Sequence, residues 1–71
     1  MRVSIRYRHP VTGNSYYFVD LRSDLKPVGC THIAAHRITV FEKKREAMKI
    51  VDHLVSLGYS VRVVPPYRKP V

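Results

Sequence analysis

Seventy-one residues leave room for one small domain and no second one, with a core near the lower limit of what folds unaided. With 45% hydrophobic and 25% charged residues, the composition is that of a folded chain and excludes the low-hydrophobicity signature of disorder. Thirteen Lys and Arg against five Asp and Glu give a net charge of +8, which makes polyanions the natural partners and argues against two-carboxylate or two-metal chemistry.

The excess charge is spread along the chain: residues 1–41 carry six basic and two acidic groups, and residues 42–71 carry seven and three. A single cysteine, Cys30, cannot form an intramolecular disulfide, so a reducing compartment is expected. The N-terminal residues are charged at alternate positions, unlike a signal peptide, and no apolar run approaches a membrane span. A soluble, cytoplasmic protein without membrane association is therefore the expectation.

The first predicted element is a strand over residues 2–8, in which Arg2, Ser4, Arg6 and Arg8 alternate with Val3, Ile5 and Tyr7. This period of two places one set in a core and the other on an exposed sheet face. His9 to Asn14 contains Pro10 and Gly13 and predicts a turn, after which residues 15–21, rich in aromatic and β-branched types, complete a β-hairpin. The facing of this second strand is open, because Tyr16 and Phe18 compete with Tyr17 and Val19 for the core. Residues 22–31, with Pro27 and Gly29, predict a loop.

A third strand is expected over residues 35–41. A helix is then expected over residues 43–57, where Ala47, Ile50, Val51, Leu54 and Leu57 recur at helical spacing and Gly58 ends the run. Residues 59–64 alternate again as a fourth strand, stopped by Pro65 and Pro66. The expected architecture is an α+β, two-layer domain over residues 1–64, in β-β-β-α-β order, with one amphipathic helix on a three- to four-stranded sheet. Residues 65–71 form an extended, Pro-rich basic tail. If the strands on either side of the helix form a βαβ unit, they run parallel with a right-handed crossover; an edge position for one of them is the alternative.

In this arrangement Val3, Ile5, Tyr7, Ile38, Val40, Tyr59, Val61 and Val63 pack beneath the helix. The opposite face presents Arg2, Arg6, Arg8, Arg37 and Arg62, with Tyr17, Thr39 and Phe41 as neighbours. Arginine makes planar bidentate contacts to phosphate, and aromatic rings on a sheet can stack with unpaired bases. Lys44, Arg45 and Lys49 add a second basic cluster on the outer face of the helix. The expected function is a small nucleic-acid-binding accessory protein, acting on DNA or RNA through phosphate contacts. Each arginine alone is better explained as a solubilising residue on an exposed strand; the set together with the charge carries the functional expectation.

Cys30, His32 and His36 have ligand-type side chains, but a four-ligand site would need His9 or His53 from distant parts of the chain, so no metal or other cofactor is expected. The chain has no nucleophile elbow, phosphate loop or paired carboxylates, and no enzymatic activity is expected.

The alternative is a module that binds an acidic protein surface and inhibits or modulates a larger host assembly. The run from Glu46-Ala47 through the helix to Gly58-Tyr59-Ser60-Val61-Arg62-Val63 and a Pro-containing tail resembles the end of the small T7-type phage inhibitors of bacterial RNA polymerase. That resemblance covers only the C-terminal part of the chain and implies an inhibitory protein contact; the strong basicity departs from it, and membership does not follow. A homodimer that enlarges the small core is compatible with either function.

Overall fold

The computed structural model describes residues 2–32 and 37–66. Alternation in the first strand, β1 (Ser4–Arg8), sets the layer arrangement: Ile5 and Tyr7 are buried while Arg6 and Arg8 are exposed. β2 (Ser15–Leu21) pairs antiparallel with one edge of β1, and β4 (Ser60–Val64) pairs antiparallel with the other. β3 (Pro27–Cys30) lies outside β2, giving an antiparallel sheet of order β3-β2-β1-β4. The single helix, α1 (Lys44–Ser56), packs on β1 and β4. The result is the small α+β domain expected, with its helix on one face of a four-stranded sheet.

The turn between β1 and β2 is held by its own polar groups. The His9 amide donates to the Asn14 carbonyl at 2.9 Å, and His9 Nδ1 accepts from the Val11 and Thr12 amides. Gly13 adopts a φ of 74°, a backbone state that costs glycine nothing.

Four expectations are corrected. The third strand is Pro27–Cys30, not residues 35–41; Ala35 and His36 lie outside the described residues, and only Phe41 makes a bridge, to Val3. Pro27 is tolerated because it begins an edge strand, where its missing amide removes no interior ladder bond. The stretch 22–31 is therefore a hairpin, turning over Arg22 to Lys26, with Leu25 at φ 65° and its carbonyl held 2.8 Å from His53 Nε2 of the helix. The strands flanking the helix do not form a parallel βαβ unit: β4 runs antiparallel beside β1, and β3 and β4 are the two edges. The facing of Val40 and Phe41 is reversed: Val40, placed in the core from sequence, is 42% exposed, while Phe41, placed on the open face, packs against the core with its ring stacked on Phe18.

The segment before the helix serves a different purpose. β1 and β2 are in register only from Arg6–Tyr17 to Arg8–Ser15, and beyond that point they part. Thr39 and Phe41 enter there: Phe41 and Val3 exchange backbone hydrogen bonds at 2.8 and 3.0 Å, while the Thr39 amide donates to the Phe18 carbonyl at 3.1 Å and its hydroxyl to the Val19 carbonyl. The same place holds a register shift between Phe18 and Asp20. An extra residue in one strand reverses the phase of alternation. Phe18 points inward, Asp20 is exposed, and Leu21 returns to the core, which keeps the carboxylate in water.

The core consists of Val3, Ile5, Tyr7, Phe18, Ala47 and Leu54, with Tyr16, Leu21, Phe41, Ile50, Val51, Tyr59, Val61 and Val63 packed against it. Burial of Phe18 settles the facing of β2: Tyr16 and Phe18 share the helix side and Tyr17 the other. The helix ends in a two-bond C-terminal cap, in which the Gly58 amide donates to the Val55 carbonyl and the Tyr59 amide to the Leu54 carbonyl, with Gly58 at φ 96°. This turn drops Tyr59 onto Tyr7, their ring centroids 5.4 Å apart in an edge-on arrangement. On its other side, Tyr7 reaches over Tyr16 to β3. A Cβ placed on Gly29 would lie 2.9 Å from Tyr7 Cζ and 2.7 Å from Tyr16 Cβ, so only glycine fits under the ring.

Candidate nucleic-acid interface on the open sheet face

Cross-strand register builds two rows of side chains on the face that the helix leaves open. Arg6 stands opposite Tyr17 on β2 and opposite Arg62 on β4; two residues along, Arg8 stands opposite Ser15 and Ser60. These rows are about 6.6–6.8 Å apart, the rise of two residues in a strand. Together Arg6, Arg8, Arg62, Ser15 and Ser60 line a groove of about 330 Å³, to which Tyr7 and Val61, between them in sequence, also contribute.

Arg6 and Arg62 are directly opposed like charges, an arrangement that destabilises an antiparallel pair. Neither is in an ion pair among the described residues, whose ion pairs are Arg2–Glu42 at 3.4 Å and Arg22–Asp24 at 3.9 Å. The Arg6 guanidinium is instead placed over the Tyr17 ring, 5.5 Å from its centroid, where the ring quadrupole offsets part of the repulsion. Arg8 is oriented by its Nε donating to the Gly13 carbonyl at 2.9 Å, so the hairpin turn aims this side chain. Guanidinium groups stay protonated at any physiological pH and present several donors in a plane, and serine hydroxyls supply neutral donors beside them. The arrangement is suited to oxyanions.

The other basic residues expected at the site are placed elsewhere. Arg2 precedes β1 and pairs with Glu42 in the solvent, and Ser4, between it and Arg6, is only 2% exposed. The sheet surface is therefore covered at that end, which separates Arg2 from the arginine rows. Arg37 is exposed in the turn leading to Thr39. Lys44, Arg45 and Lys49 are exposed on α1, in the layer on the far side of the sheet. Of the site residues named from sequence, the structure brings together Arg6, Arg8, Arg62 and Tyr17. Ser15 and Ser60 were missed; each opens a strand, and only the register reveals that both flank Arg8.

Tyr7 is the one titratable group near the groove with a clear shift. Burial, then the neighbouring Tyr59, Tyr16 and Cys30, push its pKa from 10.0 up to about 12, which keeps the phenol neutral. Cys30 Sγ is engaged locally, donating to the His32 carbonyl at 3.8 Å, and His36 lies outside the described residues. No helix among the described residues is long and apolar enough to cross a membrane. No family model, curated protein or solved structure matches the chain.

Proposed function

We propose that this protein binds nucleic acid through its open sheet face, with Arg6, Arg8 and Arg62 contacting phosphates and Ser15 and Ser60 donating to the same oxygens. The observation that carries this reading is the groove itself: three arginines and two serines converge on one face, and the opposed Arg6–Arg62 pair has no acidic partner among the described residues. A like-charge pair maintained without a counterion is relieved when a phosphate occupies it, and the surrounding +8 charge steers polyanions toward the site. Arg2, Arg37, Lys44, Arg45 and Lys49 contribute to that long-range field. Their positions do not place them on the bound segment.

The test is binding of labelled DNA and RNA by nuclease-treated protein across a salt series. Engagement of the three groove arginines corresponds to about three phosphates, a log–log salt slope near −2 to −3. The Arg6→Ala/Arg62→Ala double variant is expected to flatten that slope by about two phosphates' worth while its thermal melt does not fall. Affinity and slope equal to wild type in the double variant would overturn the sheet-face site. A stoichiometric protein partner that survives nuclease treatment, in the absence of nucleic-acid binding, would assign the face to an acidic protein surface instead.

A further inference from the structure

The row Tyr17–Arg6–Arg62 differs from the row Ser15–Arg8–Ser60 in one respect that bears on what kind of nucleic acid fits. The second row offers only hydrogen-bonding groups, whereas the first carries a π-surface: the Tyr17 ring, half-buried in the sheet, with the exposed Arg6 guanidinium over it at 5.5 Å. A phosphate needs no such surface. An unpaired base does, because its π-face stacks on aromatic rings and on guanidinium planes alike. In a duplex both faces of each base are already covered by its neighbours, and the π-surface would have nothing to receive.

We propose that the open sheet face takes single-stranded nucleic acid, with one unpaired base stacked on the Arg6–Tyr17 pair and the adjoining phosphate in the groove between Arg62 and Arg8. This inference rests on the nucleic-acid reading above and specifies its ligand. The arrangement supports it. Arg6 belongs to both features, since it lies over the Tyr17 ring and also lines the groove, so a base on the pair and the phosphate beside it meet one continuous stretch of the sheet face. The groove, at about 330 Å³, has room for a phosphate with its sugar. The Arg8 side chain, fixed to the Gly13 carbonyl, lines the groove on the side of the hairpin turn.

The deciding experiment compares three probes of equal length: oligothymidine, an abasic oligomer with the same phosphates, and a DNA duplex. Binding to each is measured by fluorescence anisotropy at one salt concentration, with wild type, Tyr17→Leu, Tyr17→Phe, Arg6→Lys and Arg6→Ala/Arg62→Ala, and folding of every variant is checked by thermal melting. Wild type is expected to bind oligothymidine more tightly than the abasic oligomer or the duplex. Tyr17→Leu is expected to lose about 5- to 150-fold on oligothymidine, the range of one stacked base, and to change little on the abasic oligomer. Tyr17→Phe, which keeps the ring, should stay near wild type.

Arg6→Lys keeps the charge and loses the planar surface, so its loss should be larger on oligothymidine, where stacking and phosphate contact both suffer, than on the abasic oligomer, where only the phosphate contact changes. It also carries the test if Tyr17→Leu fails to fold. Equal binding of all three probes, each lost in the double arginine variant, would overturn the single-strand inference and leave phosphate binding standing. No binding to any probe, or binding indifferent to both arginines, would overturn the nucleic-acid reading together with it.

Discussion

The two faces of the sheet are built from the same strands and obey opposite rules. On the helix side, Ile5, Tyr7 and Phe18 are buried with Ala47 and Leu54, and neighbouring groups fit so closely that β3 must carry a glycine beneath the Tyr7 ring. On the open side, Arg6 faces Arg62 across a strand pair, a choice that favours neither burial nor electrostatic stability. Alternation along β1 interleaves the two sets residue by residue, so stability and charge presentation reside in different side chains of the same segment. Substitutions on one face should therefore change stability, and substitutions on the other should change binding.

The largest effects are expected on the helix side. Leu54 is fully buried between helix and sheet, and Leu54→Ala should destabilise by about 2–5 kcal/mol, a fall in melting temperature of ~8 °C or more for a chain of this size. A melt within a degree or two of wild type would show that the helix is not packed as described. Gly29→Ala comes next, at about 1–3 kcal/mol, because the added methyl meets Tyr16 Cβ at 2.7 Å and Tyr7 Cζ at 2.9 Å. In a Tyr7→Leu background that added cost should shrink without vanishing, since the Tyr16 contact remains. Full additivity of the two changes in denaturant titrations would disprove the contact.

These residues also show what the sequence could and could not reveal. β1, the first hairpin, the helix and β4 are each legible because one local signal suffices: alternation, a Pro-Gly turn, helical spacing with a terminal glycine. β3 is not, because Pro27 and Gly29 are breakers in any local window, and both are accounted for only by tertiary position. Pro27 begins an edge strand, and Gly29 makes way for a ring from β1, two strands away in the sheet. The reverse holds for residues 37–41, where apolar alternation suggests a strand but the backbone is taken up by Thr39 and Phe41 closing the gap between β1 and β2. The site divides the same way. Arg6, Arg8 and Arg62 could be placed on one face by period alone. That Ser15 and Ser60 flank Arg8, that Glu42 occupies Arg2, and that Arg8 is anchored to Gly13 depend on register and turn geometry.

A smaller effect should follow pH. Tyr7 has its folded-state pKa raised from 10.0 to about 12 by burial and by Tyr59, Tyr16 and Cys30. The folded state thus holds the phenolic proton more tightly than the unfolded chain. This contribution to stability is fully present below pH 10 and is lost as pH rises through about 12. The informative quantity is the difference from Tyr7→Phe, which has no proton to lose. Urea unfolding of both proteins across that range should give a steeper alkaline decline for wild type. Parallel curves would mean that the Tyr7 hydroxyl is solvated.

The smallest expected change in stability is the sharpest test of the contrast between faces. Arg62→Glu replaces a like-charge cross-strand pair with an opposite-charge one, and should stabilise the fold by about 0.2–1 kcal/mol while abolishing most binding to nucleic acid. The two effects have opposite signs only if Arg62 is retained for what it contacts outside the protein. A variant that loses stability and binding together would instead make Arg62 a packing residue of β4, its aliphatic stem covering the neighbouring sheet surface. Arg62→Met separates these cases, since it keeps the stem and removes the charge: binding lost with stability kept or raised assigns the residue to the ligand. Stability that holds in Arg62→Met and falls in Arg62→Glu assigns it to the stem.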